Sequence, residues 1–280
     1  MSISRSARAS AYVAAVFLVV MAARPAAAQY APRYSPTGAG NAATGETYHV
    51  EVQAGLWDPS PDMVFSSEGL GILPTSINGV TDLGFTQTRF PDLRLVLRPA
   101  KKHKFLISYI PIKYQATATL TRDIVFNGIR YSIGVPVTST LDWKAWEFGY
   151  EYDFLYRPRW FVGVIAEAKY TQVTATLSSP IDTEYTQAKA PIPAVGGIVR
   201  VYVLPNISIT GKATGFKLPG SIRKGDSGQY IDVDVYGTLN FTDHIGAMVG
   251  YHSLDVQYQV QSDSGDFTLR GLYFGGVVRF

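Results

Sequence analysis

From Tyr48 to the C-terminus, hydrophobic and polar residues alternate with a period of two, and no stretch sustains the 3.6-residue period of a helix. The alternation predicts ten strands, near 47–57, 90–99, 104–120, 137–154, 160–177, 191–203, 207–218, 229–241, 245–260 and 267–280. One face of the strands carries no charge at the following positions. It reads Tyr48, Val50, Val52, Ala54, Leu56 in the first strand and Trp146, Phe148, Tyr150, Tyr152, Phe154 in the fourth. It reads Val162, Val164, Ala166, Ala168, Tyr170 in the fifth, Ile231, Val233, Val235, Gly237, Leu239, Phe241 in the eighth, and Leu272, Phe274, Gly276, Val278, Phe280 in the last. The opposite faces hold the acids Glu51, Asp92, Glu147, Glu151, Asp153, Glu167, Asp232 and Asp234. They also hold the bases Arg94, Arg98, Lys104, Lys169, Arg200, Lys212 and Arg279.

A soluble β-sandwich would show the same alternation, with the apolar face turned inward. Three features favour the inverse, apolar out to lipid and polar in to a lumen. Short connections (99–103, 155–159, 204–206, 242–244) alternate with long ones (58–88, 121–136, 178–190, 219–228, 261–266), as periplasmic turns alternate with extracellular loops in outer-membrane barrels. Aromatics gather at strand ends: Tyr48, Phe105, Phe154, Trp160, Phe241 and Phe280 at the short turns, and Tyr109, Trp146, Tyr170 and Tyr251 towards the other end. Such girdles suit rings with a polar edge at a lipid–water boundary. The eight-residue step from Trp146 to Phe154 spans roughly 20 Å at a 40° tilt, close to the height of an outer-membrane belt. Third, the chain ends on an aromatic within a strand. The expected fold is all-β: a single antiparallel transmembrane β-barrel in up-and-down meander order, with about ten strands (eight to twelve). Barrels of 16–18 strands with an open channel need a longer chain.

Residues 1–28 read as a cleaved signal peptide. Arg5 and Arg8 precede the uncharged run Ala11–Ala23, and Pro25 and Ala26-Ala27-Ala28 follow it, the pattern of a signal-peptidase substrate. The run is too short to span a bilayer as a helix. The segment holds three arginines and no acid, so the formal +3 charge belongs to it and nothing basic remains to suggest a nucleic-acid partner. Residues 29–46 read as a flexible periplasmic segment and 47–280 as the barrel. Only 17% of residues are charged, and 18 are tyrosine, which argues against a disordered or charge-rich helical chain. Cysteine is absent, so there are no disulfides and no thiolate chemistry.

The ending Gly271-Leu272-Tyr273-Phe274-Gly275-Gly276-Val277-Val278-Arg279-Phe280 resembles the C-terminal signal read by the bacterial outer-membrane assembly machinery, with Leu272, Phe274, Val278 and Phe280 on one face. The segments Pro91–Leu95, His103–Tyr109, Thr121–Gly128, Phe148–Asp153 and Gly250–Val256 are similar to a group of largely uncharacterised Gram-negative outer-membrane β-barrel proteins (outer membrane protein beta-barrel domain). The resemblance covers most of residues 45–280. It implies the fold and an outer-membrane location reached through the periplasm, and brings no activity.

The nearly balanced inward charges predict a lumen network of ion pairs, since buried charges must be paired. The candidates are Glu51, Arg94, Glu147, Glu151, Glu167, Lys169, Arg200, Lys212, Asp232 and Asp234, with Asp232 and Asp234 expected to meet Lys212 on the neighbouring strand. His252-Ser253 beside Asp255 invites a hydrolase reading, but adjacent strand residues face opposite sides, so nucleophile and base would not touch. Asp232 and Asp234 at i, i+2 could serve acid–base work as in omptin proteases, but they lack a histidine at the rim. His49, His103 and His244 show no metal spacing. Asn127-Gly128 suits a type I′ turn, read as the tip of two strands that extend beyond the bilayer, although Phe126, Ile129 and Tyr131 ask for a packing partner. The loop 58–88 could fold over the mouth as a lid. No catalytic residue, metal ligand or cofactor is assigned; the expected partners are outer-membrane lipid and the assembly machinery. The function expected is a non-enzymatic outer-membrane barrel with a narrow, charge-filled lumen: structural, small-solute passage or surface binding. The first alternative is an outer-membrane enzyme acting on lipid or peptide, deacylase- or omptin-like, and the second a soluble periplasmic β-protein.

Overall fold

The computed structural model describes residues 43–218, 227–260 and 263–280. The expected signal peptide, residues 29–42 and parts of two connections (219–226, 261–262) lie outside them. In chain order the strands are β1 (Val50–Ser66), β2 (Ile77–Asn78), β3 (Phe90–Ala100), β4 (His103–Thr119), β5 (Ile124–Phe126), β6 (Ile129–Tyr131) and β7 (Pro136–Arg157). They continue as β8 (Trp160–Ser178), β9 (Thr183–Leu204), β10 (Ile207–Leu218), β11 (Ser227–Asn240), β12 (Ile245–Val260) and β13 (Asp263–Arg279). Ten of these, all but β2, β5 and β6, form an antiparallel meander that closes where β1 meets β13, from Glu51↔Arg279 to Ser66↔Ser264. The barrel is therefore the expected ten-stranded one. Short turns at 101–102, 158–159, 205–206 and 241–244 lie at the end where β1 begins and β13 finishes, the terminal end; the long connections lie at the far end.

The alternation inverts partway along the wall. Towards the terminal end of β7, Trp146, Phe148, Tyr150, Tyr152 and Phe154 point outward, 37% to 49% exposed, and Glu147, Glu151 and Asp153 point inward. Towards the far end of the same strand, Val137, Leu141 and Trp143 are inward and Thr138, Thr140, Asp142 and Lys144 outward. Odd and even positions keep their facing; the chemistry changes sides. β12 does the same, with His252 inward below the change and Leu254 inward above it, while Tyr251 gives way to Ser253 and Asp255 outside. The change falls at a row of rings adjacent in register, Tyr109↔Trp146↔Tyr170, with Tyr109 stacked on Trp146 at 4.2 Å. Below this row the outer surface is an apolar belt. Above it, the barrel has the polar outside and apolar inside of a soluble protein.

Three strands run further than the alternation predicts: β1 to Ser66, β9 from Thr183 and β13 from Asp263. β1 runs through two prolines, Pro59 and Pro61. Val50 exchanges both backbone hydrogen bonds with Phe280, so even positions of β1 turn their N–H towards β13 and odd positions towards β3. Pro59 and Pro61 are odd, and β3 pairs with β1 only as far as Trp57↔Phe90. Their missing donors fall where no ladder exists.

The loop expected at 58–88 therefore begins after Ser66. It fills the wall left open beyond β3, pairing Ile77-Asn78 with Val64-Phe65 and setting Phe85 5.8 Å from the ring of Tyr114. The hairpin β5–β6 turns at Asn127 and Gly128 (φ 48° and 83°), as a type I′ turn requires. It is a separate two-stranded sheet, not the tip of its flanking strands as expected. Ile124, Phe126 and Tyr131 enter the far opening, where they are 0–3% exposed, because a two-stranded ribbon cannot bury its apolar face by itself.

Candidate functional site: a lumen filled from end to end

The inward side chains of the belt form one polar tier. Lys169, 2% exposed, reaches Glu147 at 2.5 Å, Asp232 at 2.6 Å and Glu167 at 3.1 Å. Lys212 reaches Glu167 at 2.5 Å and Glu147 at 3.5 Å. Arg94 spans the bore between Asp92 at 2.6 Å and Asp234 at 2.5 Å, and Tyr273 donates to Asp234 at 2.8 Å. Lys104 joins Glu151 at 2.5 Å and Asp153 at 3.0 Å and lies 3.8 Å above the ring of Phe161. A cavity of about 80 Å³ remains between Arg94, Glu147, Lys212, Asp234 and His252. That is room for a few waters at roughly 15 Å³ each, well below the ~300 Å³ of a small-ligand pocket.

The terminal end is closed by residues 43–48. Thr44 N–H donates to Pro205 O and Gly45 N–H to Asp243 Oδ1, both at 2.8 Å, and Asn240 Nδ2 donates to Thr44 O at 2.8 Å. Gly45 has φ +86°, and a Cβ there would lie 2.6 Å from Arg279 Nη1, so only glycine fits. Glu46 enters the mouth between Arg98 and Arg200. Burial pushes its carboxyl pKa up, but the charges of Arg200, Lys104 and Arg98 outweigh burial and hold it below the ordinary value. Arg279 binds Glu51 and Asn240 Oδ1.

The far end is closed by an apolar tier. Trp57, Met63, Phe65, Ile112, Leu141, Trp143 and Phe267 from the wall pack around Ile77, Leu83, Phe85, Ile124 and Phe126 from the loop and hairpin. Two clips tie these insertions down: Arg122 donates two bonds to Asp82 at 2.6 and 3.1 Å, and Asn127 Nδ2 donates to Glu184 at 3.0 Å.

All ten lumen candidates face inward, but the partner expected for the aspartates differs. Lys212 and Asp234 are register partners, yet Lys212 pairs with Glu167 and Glu147, while Asp232 pairs with Lys169 and His252. Strands in a barrel are tilted, so inward side chains meet those of more distant strands across the bore. His252 Nε2–H donates to Asp232 Oδ1 at 2.8 Å, and its ring lies tilted against that of Trp57 with centroids 4.7 Å apart. Its Nδ1 has no partner among the described residues. Ser253 faces the other way. His49, His103 and His244 bond Arg98 O, Tyr150 Oη and Arg279 O, and the described residues contain no metal-binding group. Leu272, Phe274, Val278 and Phe280 lie on the outer face, 40% to 69% exposed.

Tyr48 is a correction. Expected in the outer girdle, it is 6% exposed and lies inside the mouth against the guanidinium groups of Arg98 and Arg279, at 5.2 and 5.6 Å, because the chain turns into the mouth before β1. Sequence reasoning also missed Glu46, which precedes the periodic region, and the apolar tier. The latter had a signal: in β7 the apolar parity changes between Trp143 and Trp146 with no turn between them.

No protein-family model matches the chain, and no curated protein matches it in sequence. Among solved structures it is similar to the outer-membrane protease OmpT of Escherichia coli, with a TM-score of 0.56 and 9% identity over 82% of this chain and 96% of that one. The attachment invasion locus protein Ail of Yersinia pestis aligns with a TM-score of 0.38 and 8% identity over 83% of this chain and 99% of that one. A FadL homologue of Pseudomonas aeruginosa gives 0.37 and 8% over 77% and 64%. The fold is that of the outer-membrane β-barrels. At 9% identity OmpT lends this chain its architecture and nothing of its chemistry.

Proposed function

We propose that this is a non-conducting outer-membrane barrel that raises a polar-surfaced, apolar-cored tier above the outer leaflet and binds partners through that tier. The observation that carries the reading is the inversion of sidedness at Tyr109, Trp146 and Tyr170. Val195, Val249 and Leu272, 59% to 70% exposed, would be costly in water and are at home in lipid, whereas Asp142, Lys144 and Asp255 beyond the row need water. The terminal end then lies in the periplasm, reached by export, and the far end outside the cell. Leu272, Phe274, Val278 and Phe280 are the surface offered to the assembly machinery. Passage of solutes is disfavoured by the filled bore. Cleavage of lipid or peptide at Asp232 and His252 is disfavoured by the apolar tier over them and by the outward turn of Ser253.

Two measurements test this. Trp146 and Trp160 face outward and Trp57 and Trp143 inward, so brominated phospholipids should quench the first pair and spare the W146F/W160F double variant. In planar bilayers the protein should give no steady current, and deleting residues 68–88 should leave it silent because the ion-pair tier still fills the bore. A stable porin-sized conductance would refute the sealed lumen; equal quenching of both tryptophan pairs would refute the membrane belt.

A further inference from the structure

We propose that Arg98 and Arg200 form an oxyanion site at the terminal-end mouth, that Glu46 fills it as a tethered ligand, and that a free carboxylate or phosphate takes its place when residues 43–46 lift away. The two guanidinium groups are 4% and 6% exposed, and Glu46 is the only carboxylate within 4.0 Å of either among the described residues. Among the described residues, every other ion pair of the lumen joins groups that both belong to barrel strands; only here do two buried wall cations take their counter-charge from a segment outside the wall.

The donors around Glu46 are those of an anion site. Arg200 Nη1 donates to Glu46 Oε1 at 3.0 Å and Tyr202 Oη to the same oxygen at 2.8 Å. Arg98 Nη1 approaches Oε2 at 3.5 Å and also donates to the main-chain oxygen of Glu46. The wall fixes the remaining geometry: Arg200 Nε donates to Thr210 at 2.8 Å and Nη2 to Tyr236 at 3.1 Å, while Arg98 Nη2 donates to Lys101 O at 2.9 Å and Tyr156 at 3.0 Å. Arg98 Nε is buried with no acceptor among the described residues. The forks are therefore held in place whether or not Glu46 is present. Removing Glu46 would leave two buried cations without their ion-pair partner, a state costly enough to draw in a small oxyanion. Apart from the bonds to Glu46 itself, the strap is held by few, those of Thr44, Gly45 and Asn240 described above.

The site stands on side-chain geometry alone. Only the compartment in which the anion is met, the periplasm, rests on the orientation proposed above, and a binding assay in detergent micelles is blind to orientation. The full chain is refolded in micelles, its folding checked by heat-modifiable migration, and titrated in anion-poor buffer with inorganic phosphate and, separately, with acetate. Glu46→Ala empties the site. Asp243→Ala removes the acceptor of Gly45 N–H and loosens the strap without touching either arginine, so it decides the matter if Glu46→Ala does not fold. An intramolecular ligand competes at an effective concentration on the order of millimolar. Glu46→Ala should therefore gain thermal stability from phosphate or acetate at concentrations about tenfold or more below those acting on the wild type, with Asp243→Ala in between. Which anion acts at the lower concentration distinguishes a phosphate site from a carboxylate site. If the folded variants respond to both anions as the wild type does, the site does not exist.

Discussion

Lys169 is the hub of the polar tier, and replacing it with methionine, of similar length and no charge, isolates what its charge contributes. Its three contacts, at 2.5, 2.6 and 3.1 Å, correspond to a gross attraction of about 18 kcal/mol at an effective dielectric of 20, most of it opposed by the cost of burying the ions. The net loss is bounded by the cheapest escape open to the variant. Glu147 and Glu167 keep Lys212, but Asp232 keeps only His252, so Asp232 can be carried as the neutral acid. Protonating a carboxyl of solution pKa 3.9 at pH 7 costs about 4 kcal/mol, and at pH 5 about 1.5 kcal/mol. Lys169→Met should therefore lose about 4 kcal/mol of unfolding free energy at pH 7, in the range found when one partner of a buried pair is removed. The sign follows from linkage: the variant's folded state binds a proton that its unfolded state does not, so its deficit grows as pH rises. Urea titrations in micelles at pH 5 and 7, followed by heat-modifiable migration, measure both numbers. Lys169→Met/Asp232→Asn should recover much of the loss, since a pair removed together leaves no orphan charge. A deficit under about 1 kcal/mol at pH 7, or strictly additive single costs, would show that the tier is not the buried network described.

Three other outcomes are expected. Asp82 has its carboxyl pKa lowered from 3.8, chiefly by the hydrogen bonds from Arg122. A lowered folded value means stabilisation that is present above the unfolded pKa and lost as pH falls through the folded one. Arg122→Ala should therefore speed hydrogen exchange in residues 77–84 at pH 7 by at most a few-fold, since the arginine is 43% exposed, and the difference should vanish in acid; a difference that persists there would exclude the ion pair as its cause. Phe126→Ala removes a ring that is fully buried and edge-on to Phe65 at 6.3 Å. It should cost about 3–4 kcal/mol and render 124–131 sensitive to protease while the barrel keeps its heat-modifiable migration; an uncut hairpin would contradict the plug. Gly250→Ala places a Cβ 2.6 Å from both Tyr236 and Tyr273 and should destabilise by about 1–3 kcal/mol through overpacking, read in the same urea titration.

Much of the barrel was legible because its signals are local. Val162 to Tyr170 on one parity and Glu167 and Lys169 on the other specify a strand, its two faces and its depth without reference to any other part of the chain. The same holds for Asn127-Gly128, whose left-handed turn needs no tertiary context. Misreadings arose where a local signal had a distant cause. Pro59 and Pro61 look like loop residues until β3 is seen to stop short, and Tyr48 looks like a girdle residue until the chain is seen to turn into the mouth.

The sequence by itself determined the number of barrel strands, the two faces of each strand within the belt and the apolar belt itself, because a period of two is written in neighbouring residues and a one-residue slip would put charge into lipid. Only the tertiary structure decided which charge meets which. Pairing across a bore depends on strand tilt and closure, so Arg94 finds Asp234 across 140 positions and Lys212 passes over its register partner for Glu167. It also decided that both ends are filled, because a plug is a contact between a wall and a segment with no period of its own: Glu46 between two arginines at one mouth, Phe126 among aromatic side chains at the other.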